Sequence, residues 1–139
     1  MPWCTRTREV GAANIVELST LTGSCIVSLG KQLADIWTDS DSLAAELAAA
    51  SQATGGKTWR MPMVHEYADQ LESLFADLKN TGTRWGGSIT AALFLQHFVA
   101  KGKPFAHVDI SGPVWEDGKG ATGYGTKLLV EWVTRQGQP

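Results

Sequence analysis

No stretch of this 139-residue chain stays apolar for the roughly 20 residues that a membrane-crossing helix requires. Cysteine is scarce: Cys4 and Cys25 are the only two, too few for a disulfide framework or a metal knuckle. Neither sign of charge dominates. Twelve basic residues stand against 14 acidic ones for a net charge of -2, and the basic ones are scattered. Such a balance gives no electrostatic reason to expect nucleic acid or an anionic membrane as partner. The opening residues, Met1-Pro2-Trp3-Cys4-Thr5-Arg6, lack the apolar centre of a secretory signal. Together these absences point to a reducing, cytoplasmic compartment. What remains is a globular composition, 43% hydrophobic and 19% charged, at the length of one domain.

Along the chain, residues 1–13 read as a tail or as the remnant of a preceding helix and loop. Asn14–Ser19 reads as a strand, β-branched early and closed by turn formers. Thr20-Leu21-Thr22-Gly23 is a tight connection. Cys25–Leu29 and Ala34–Thr38 are two more short apolar runs, read as further strands. Ser42–Thr54 is the clearest helix. Asp39, Ser40, Asp41 and Ser42 are its cap candidates, Leu43, Leu47, Ala50 and Thr54 share its face, and Gly55-Gly56 ends it. A second helix is expected over Val64–Leu78, buried through Tyr67, Leu71, Leu74 and Leu78. A third, capped by Ser88 and running to about Ala100, is apolar nearly all round, which implies burial between layers. Phe105–Ile110 is a strand and Gly123–Arg135 a last helix, packed through Leu128, Leu129, Trp132 and Val133. Strands alternating with helices argue for a layered α/β fold with a thin strand inventory, as if the chain were part of a larger sheet.

Catalytic constellations are mostly missing. His65, His97 and His107 are isolated in sequence and read as core or surface residues rather than metal ligands. Asp39 and Asp41 precede a helix, where capping is the expected role. Asp109 sits near a strand's C-terminal end, where α/β proteins place ligands; the plainer reading is a buried carboxylate accepting hydrogen bonds from the turn at Gly112. The glycine-rich stretch Gly82–Ser88 leads into a helix but lacks the Gly-Lys-Ser/Thr ending of a phosphate loop. Gly118–Gly125 has no strand directly before it, as a dinucleotide fingerprint would. Cys25 has no histidine partner in view and reads as an inert buried thiol.

Four ordered stretches nevertheless carry a resemblance. Ile15-Val-Glu-Leu-Ser-Thr-Leu-Thr-Gly-Ser-Cys25 is similar to a segment usually seen as Asp-Leu-Ala-Thr-Leu-Thr-Gly-Ala-Cys. Trp59-Arg-Met-Pro-Met63 with Glu66-Tyr67 resembles a Pro-Leu…Glu-Tyr entry. Gly82-Thr-Arg-Trp-Gly-Gly-Ser-Ile-Thr-Ala-Ala-Leu-Phe-Leu95 is close to a Gly-Gly-Arg-Trp-Gly-Gly helix start. Ala106-His-Val-Asp-Ile-Ser-Gly-Pro113, then Lys119-Gly-Ala-Thr-Gly-Tyr-Gly125, resembles the ending of the same sequences. The family is that of the leucine, or cytosol, aminopeptidases, and the resemblance runs from about Cys4 to Val133.

The resemblance implies a partial α/β/α sandwich around a mixed sheet, with residues 14–135 forming the C-terminal part of an aminopeptidase catalytic domain. It implies peptide substrates, a hexamer at full length, and hydrolysis with two divalent metals (zinc, manganese or magnesium), whose bridging water attacks the peptide carbonyl. It implies that Thr20, Leu21 and Gly23 line the site beside the metals and the substrate side chain. Ser111 and Val114 fall where the family lines the pocket for the first side chain. Ser111 stands where alanine is usual. The family's metal ligands come from a Lys and Asp segment and from Asn-Thr-Asp-Ala-Glu-Gly-Arg, both before the strand that starts here at Asn14, and nothing in residues 1–13 resembles either. The expectation is therefore a chain that holds no metal and no catalytic residue by itself. The alternative reading is a binding or assembly module, or a truncated fragment of the full-length enzyme.

Overall fold

The computed structural model describes residues 11–137, so most of the expected tail over 1–13 lies outside the described residues. Four strands form one sheet: β1 (Ile15–Ser19), β2 (Ala34–Trp37), β3 (Thr58–Met61) and β4 (Phe105–Asp109), in the order β1-β4-β2-β3. β1 pairs with β4 in parallel, β2 with β3 in parallel, and β2 with β4 antiparallel. The sheet is thus mixed, as expected. β2 and β4 are central and buried along their whole length, which suits their runs Ala-Asp-Ile-Trp and Phe-Ala-His-Val-Asp.

Successive side chains of a strand point to opposite faces, and the two faces here differ in chemistry. On one face Ala34, Ile36, Ala106 and Val108 form an apolar core with α2 (Asp41–Thr54) and α4 (Thr126–Gln136). Leu43, Leu47 and Ala50 come from α2, and Leu128 and Trp132 from α4; the Trp132 indole N–H donates to Glu46 Oε2 at 2.9 Å. Val133 of the expected face is exposed at 58%. On the other face lie Asp35, Trp37, His107 and Asp109, beneath α1 (Gly23–Leu29) and α3 (Gly87–His97). A small hairpin, β5 (Trp115–Glu116) with β6 (Gly120–Ala121), precedes α4.

Three elements depart from the sequence reading. Cys25–Leu29 is not a strand but most of α1. Thr22 caps it by accepting the Cys25 N–H, and Gly30, at φ +76°, ends it. Seven residues, of which only Cys25 is buried, show no period that separates a short helix from a strand. Val64–Leu78 is not a continuous helix. A 3₁₀ helix covers His65–Leu71, Val64 offers no side-chain cap, and Glu72 turns extended. Beyond it the Ser73 hydroxyl accepts from the N–H groups of Phe75 and Ala76, giving the backbone an alternative to the helical ladder. Leu71 is buried as expected, but Leu74 is 93% exposed. β3 was not read as a strand from its sequence, Thr-Trp-Arg-Met, because its exposed Trp59 and Arg60 break any alternation.

The caps also shift by a residue or two. Ser40, one of the four candidates, caps α2 by accepting the Leu43 N–H. Asp39 instead holds His65 Nε2 and Gln96 Nε2, and Asp41 pairs with Arg60. Gly86, at φ +66°, rather than Ser88, stands at the N-cap of α3, so the glycine-rich stretch supplies a left-handed residue. α3 is covered only in part: Ser88, Thr90, Ala92, Leu93 and Leu95 are buried, whereas Ile89, Ala91 and Phe94 stay half-buried, so the expected burial between layers is incomplete.

The apolar core makes a direct prediction. Leu47 is fully buried between α2 and the sheet, so Leu47→Ala should lower stability by about 2–5 kcal/mol, the range for opening a core cavity. Urea unfolding followed by circular dichroism measures it; a change within about 0.5 kcal/mol, as at a surface site, would contradict this packing.

Candidate functional site

β1 and β4 run in parallel with Ser19 opposite Asp109, so both strands end at the same edge of the sheet. The ladder continues one step further, where Ile110 N–H donates to the Ser19 carbonyl at 2.9 Å. From there β1 runs into Thr20–Thr22 and β4 into Ser111–Gly112. Loops at the C-terminal ends of parallel strands are the usual place for ligands in α/β sheets.

A single carboxylate joins the two turns. Asp109 has no exposed surface. Its Oδ2 accepts the Thr22 N–H at 2.9 Å and the Thr22 hydroxyl at 2.7 Å. Its Oδ1 accepts the Ser111 N–H at 3.1 Å and the Ser111 hydroxyl at 2.6 Å. The Thr22 oxygen in turn accepts the Cys25 N–H at 3.1 Å, and the Cys25 thiol donates to the Asp109 carbonyl at 3.4 Å. Burial, with the charges of Asp35 and Asp109 adding to it, pushes the Cys25 thiol up to about 12. The thiol therefore stays protonated at neutral pH and is no nucleophile. Gly112 completes the junction by close approach: a Cβ there would lie 2.5 Å from the Gly30 carbonyl at the end of α1.

The five residues expected at a pocket take different positions around this junction. Thr20, Leu21 and Gly23 are exposed, Leu21 at 39%. Ser111 is half-buried, with its hydroxyl directed at Asp109. Val114 packs against the apolar core, and its carbonyl accepts the Thr122 N–H at 3.0 Å. A cavity of about 610 Å³ begins just past it, lined by Pro113, Trp115, Lys31, Lys57 and Tyr124 among others. Sequence reading passed over Thr22, the residue through which the first turn reaches Asp109. Its signal is a threonine three residues before Cys25, the spacing of a helix N-cap. The plainer reading of Asp109, a buried carboxylate accepting from the following turn, holds at Ser111, and the bonds to Thr22 extend it to a second turn.

The remaining candidates are local. His65 bonds Asp39 at the surface, His97 lies edge-on to Phe98, and His107, buried, has its Nδ1 against Glu17. Gly118 and Gly120 shape the β5–β6 hairpin at positive φ.

Comparison with known proteins agrees with this architecture. The model of the cytosol aminopeptidase family, catalytic domain, matches residues 3–130. The chain belongs to that family. A probable cytosol aminopeptidase of Synechococcus sp. (strain CC9605) is 56% identical over 128 residues, and one of Trichodesmium erythraeum (strain IMS101) is 50% identical over 131. These alignments cover 88% and 90% of this chain but 26% of each relative, so the chain spans about a quarter of the length of the curated family members it matches. Among solved structures, a tomato leucine aminopeptidase mutant superposes with a TM-score of 0.90 at 46% identity, covering 94% of this chain and 26% of that one. The bottromycin maturation enzyme BotP, in complex with Mn, superposes with a TM-score of 0.87 at 34% identity, covering 91% of this chain and 29% of its own.

The family is one of metal-dependent aminopeptidases, which raises the question of ligands here. Among the described residues no group of three His, Cys, Asp or Glu side chains is placed to hold a metal ion. Asp109, the carboxylate nearest the two turns, already has both oxygens occupied by Thr22 and Ser111. The described residues therefore do not fit a metal centre.

Asp109→Asn tests the junction. An amide nitrogen cannot accept the two N–H or O–H donors facing one of the oxygens, and each stranded buried donor costs about 1–3 kcal/mol. The expected loss of stability is on the order of 3 kcal/mol, read as a lowered urea midpoint at constant slope. An unchanged midpoint would remove Asp109 from its place at the junction.

Proposed function

We propose that this chain supplies the wall of a peptide-binding pocket in a metal-dependent aminopeptidase of the cytosol aminopeptidase family. The observation that carries the reading is the Asp109 junction, which holds the Thr20–Gly23 and Ser111–Val114 turns together at one sheet edge. Thr20, Leu21 and Gly23 would face the substrate's first residue, and Ser111 and Val114 would bound its side chain. Because the Ser111 hydroxyl donates to Asp109, the pocket would meet the substrate with the carbon side of Ser111, and an apolar first residue such as leucine suits such a wall. The substrates are peptides, and the reaction is release of the N-terminal residue by hydrolysis.

Two divalent ions, zinc, manganese or magnesium, would polarise the peptide carbonyl and activate water. They would be held by residues other than those described here. Assembly into a hexamer and a cytoplasmic location belong to the same proposal; they rest on family membership and on the naming of the relatives as cytosol aminopeptidases. Among the described residues no helix is long and apolar enough to cross a membrane.

Two measurements on the 139-residue chain test this. Added manganese or zinc should produce no cleavage of a leucine amide substrate; chelator-sensitive turnover in a preparation free of other peptidases would show that the chain carries its own metal centre. Titration of the ¹⁵N-labelled chain with leucine amide should shift the backbone amides of Thr20, Leu21, Gly23, Ser111 and Val114 together. Shifts confined to the cavity at Lys31, Lys57 and Trp115 would place the ligand elsewhere and end the pocket reading.

A further inference from the structure

Asp35 on β2 lies directly opposite Asp109 on β4, and neither side chain has any exposed surface. The two carboxylates are treated very differently. Asp109 receives four hydrogen bonds from Thr22 and Ser111. Both oxygens of Asp35 are buried without a hydrogen bond of ordinary geometry, and the neighbouring Cys25 thiol, which donates to the Asp109 carbonyl, reaches them only as a weak donor. The titratable groups around Asp35 come from two packed elements: Cys25 from α1, and Asp109 and His107 from β4. Glu17 of β1 stands behind His107, bonded to its Nδ1. β3 sets the uncharged Trp59 at the paired position, and the buried polar residues of α3, Ser88 and Thr90, do not titrate. A buried carboxyl with no strong donor keeps its proton more readily than one in water, and a like charge opposite strengthens that tendency.

We propose that Asp35 is a proton-controlled switch on the pocket wall. Uncharged, it leaves Asp109 free to hold Thr22 and Ser111; ionised, it sets a second buried negative charge opposite Asp109 and loosens that hold. The step is a reversible loss of the carboxyl proton to solvent, with no other bond made or broken. Its meaning for peptide binding rests on the pocket reading above, whereas the effect on the two turns does not.

Burial pushes the Asp35 carboxyl from 3.8 up to about 6. The Cys25 thiol works against that rise, the Asp109 charge adds to it, and His107 opposes it. The sign follows from linkage. The stabilising effect of the protonated form is complete below the unfolded value of 3.8 and is lost as the pH rises through about 6. The junction should therefore be tight in mild acid and looser at neutral pH.

The test follows three nuclei in the ¹⁵N,¹³C-labelled chain between about pH 5 and pH 8, a window that brackets this transition: the side-chain carboxyl carbon of Asp35 and the backbone amides of Thr22 and Ser111. All three should titrate with one midpoint near 6. Hydrogen-exchange protection of the two amides should fall by about tenfold across the transition, beyond the intrinsic rate, the equivalent of one pKa unit of coupling. In Asp35→Asn the amides should stay at their acidic positions throughout. The proposal is overturned if the Asp35 carboxyl titrates while the amides stay still. It is equally overturned if Asp35 remains ionised across the range, or if the amides titrate unchanged in Asp35→Asn, which would assign the effect to His107. Should Asp35→Asn not fold, the shared or separate midpoints in the unsubstituted chain decide alone. Leucine amide added at both ends of the range separates the two readings. A pH response without ligand shifts sinks the pocket and keeps the switch, and ligand shifts without a pH response do the reverse.

Discussion

A carboxylate buried in a protein interior is strongly unfavourable unless its lone pairs are matched by donors. Asp109 meets that condition by drawing donors from two separate turns, two from Thr22 and two from Ser111. Neither turn can move away without leaving part of the charge unmatched, so the electrostatic requirement of one side chain becomes a positional constraint on two loops. The constraint spreads further. Thr22 is also the cap of α1, and Gly112, next to Ser111, fits closely against the end of that helix. The edge of the sheet where β1 and β4 end is tied together in this way, one side chain linking two turns and the start of a helix.

The same strands show why this part of the molecule is asymmetric. The side toward α2 and α4 is an ordinary apolar core, Ile36 and Val108 against Leu43, Leu47 and Trp132. The side toward α1 and α3 carries Asp35, Asp109, His107 and Trp37, all buried, and the indole N–H of Trp37 and Nε2 of His107 have no hydrogen-bond partner among the described residues. Burial on the first side stabilises whatever the charge state. The second side depends on charge state and hydrogen bonding, and local environments of that kind are where proteins respond to conditions.

Membership of the cytosol aminopeptidase family was legible from motifs such as Thr-Leu-Thr-Gly and Arg-Trp-Gly-Gly, the second of which carries a glycine that the backbone geometry demands. Gly86 shows the reason directly, with its left-handed φ of +66° at the head of α3. The role of Thr22 was hidden. Its hydroxyl matters through Asp109, 87 residues away, and no local pattern announces a contact of that range. Ser111 was placed at the pocket as a motif position. Its hydroxyl turns back to Asp109 two residues earlier, a local contact that the alanine usual at this position could not make.

The strands β1, β2 and β4 and the helices α2, α3 and α4 were determined by the sequence itself, since runs of Val, Ile, Ala and Leu with flanking caps bias the backbone locally. Short elements were decided by tertiary structure. Cys25–Leu29 became a helix because Thr22 and Gly30 close it and the sheet receives it, and the segment after Leu71 lost its helix to the Ser73 hydroxyl. The strand order β1-β4-β2-β3 and the confrontation of Asp35 with Asp109 were likewise decided only by the fold. A sequence records which side chains could be buried. Which two carboxylates meet across a sheet depends on strand pairing and register, and those are set by the packing of the whole chain rather than by any segment of it.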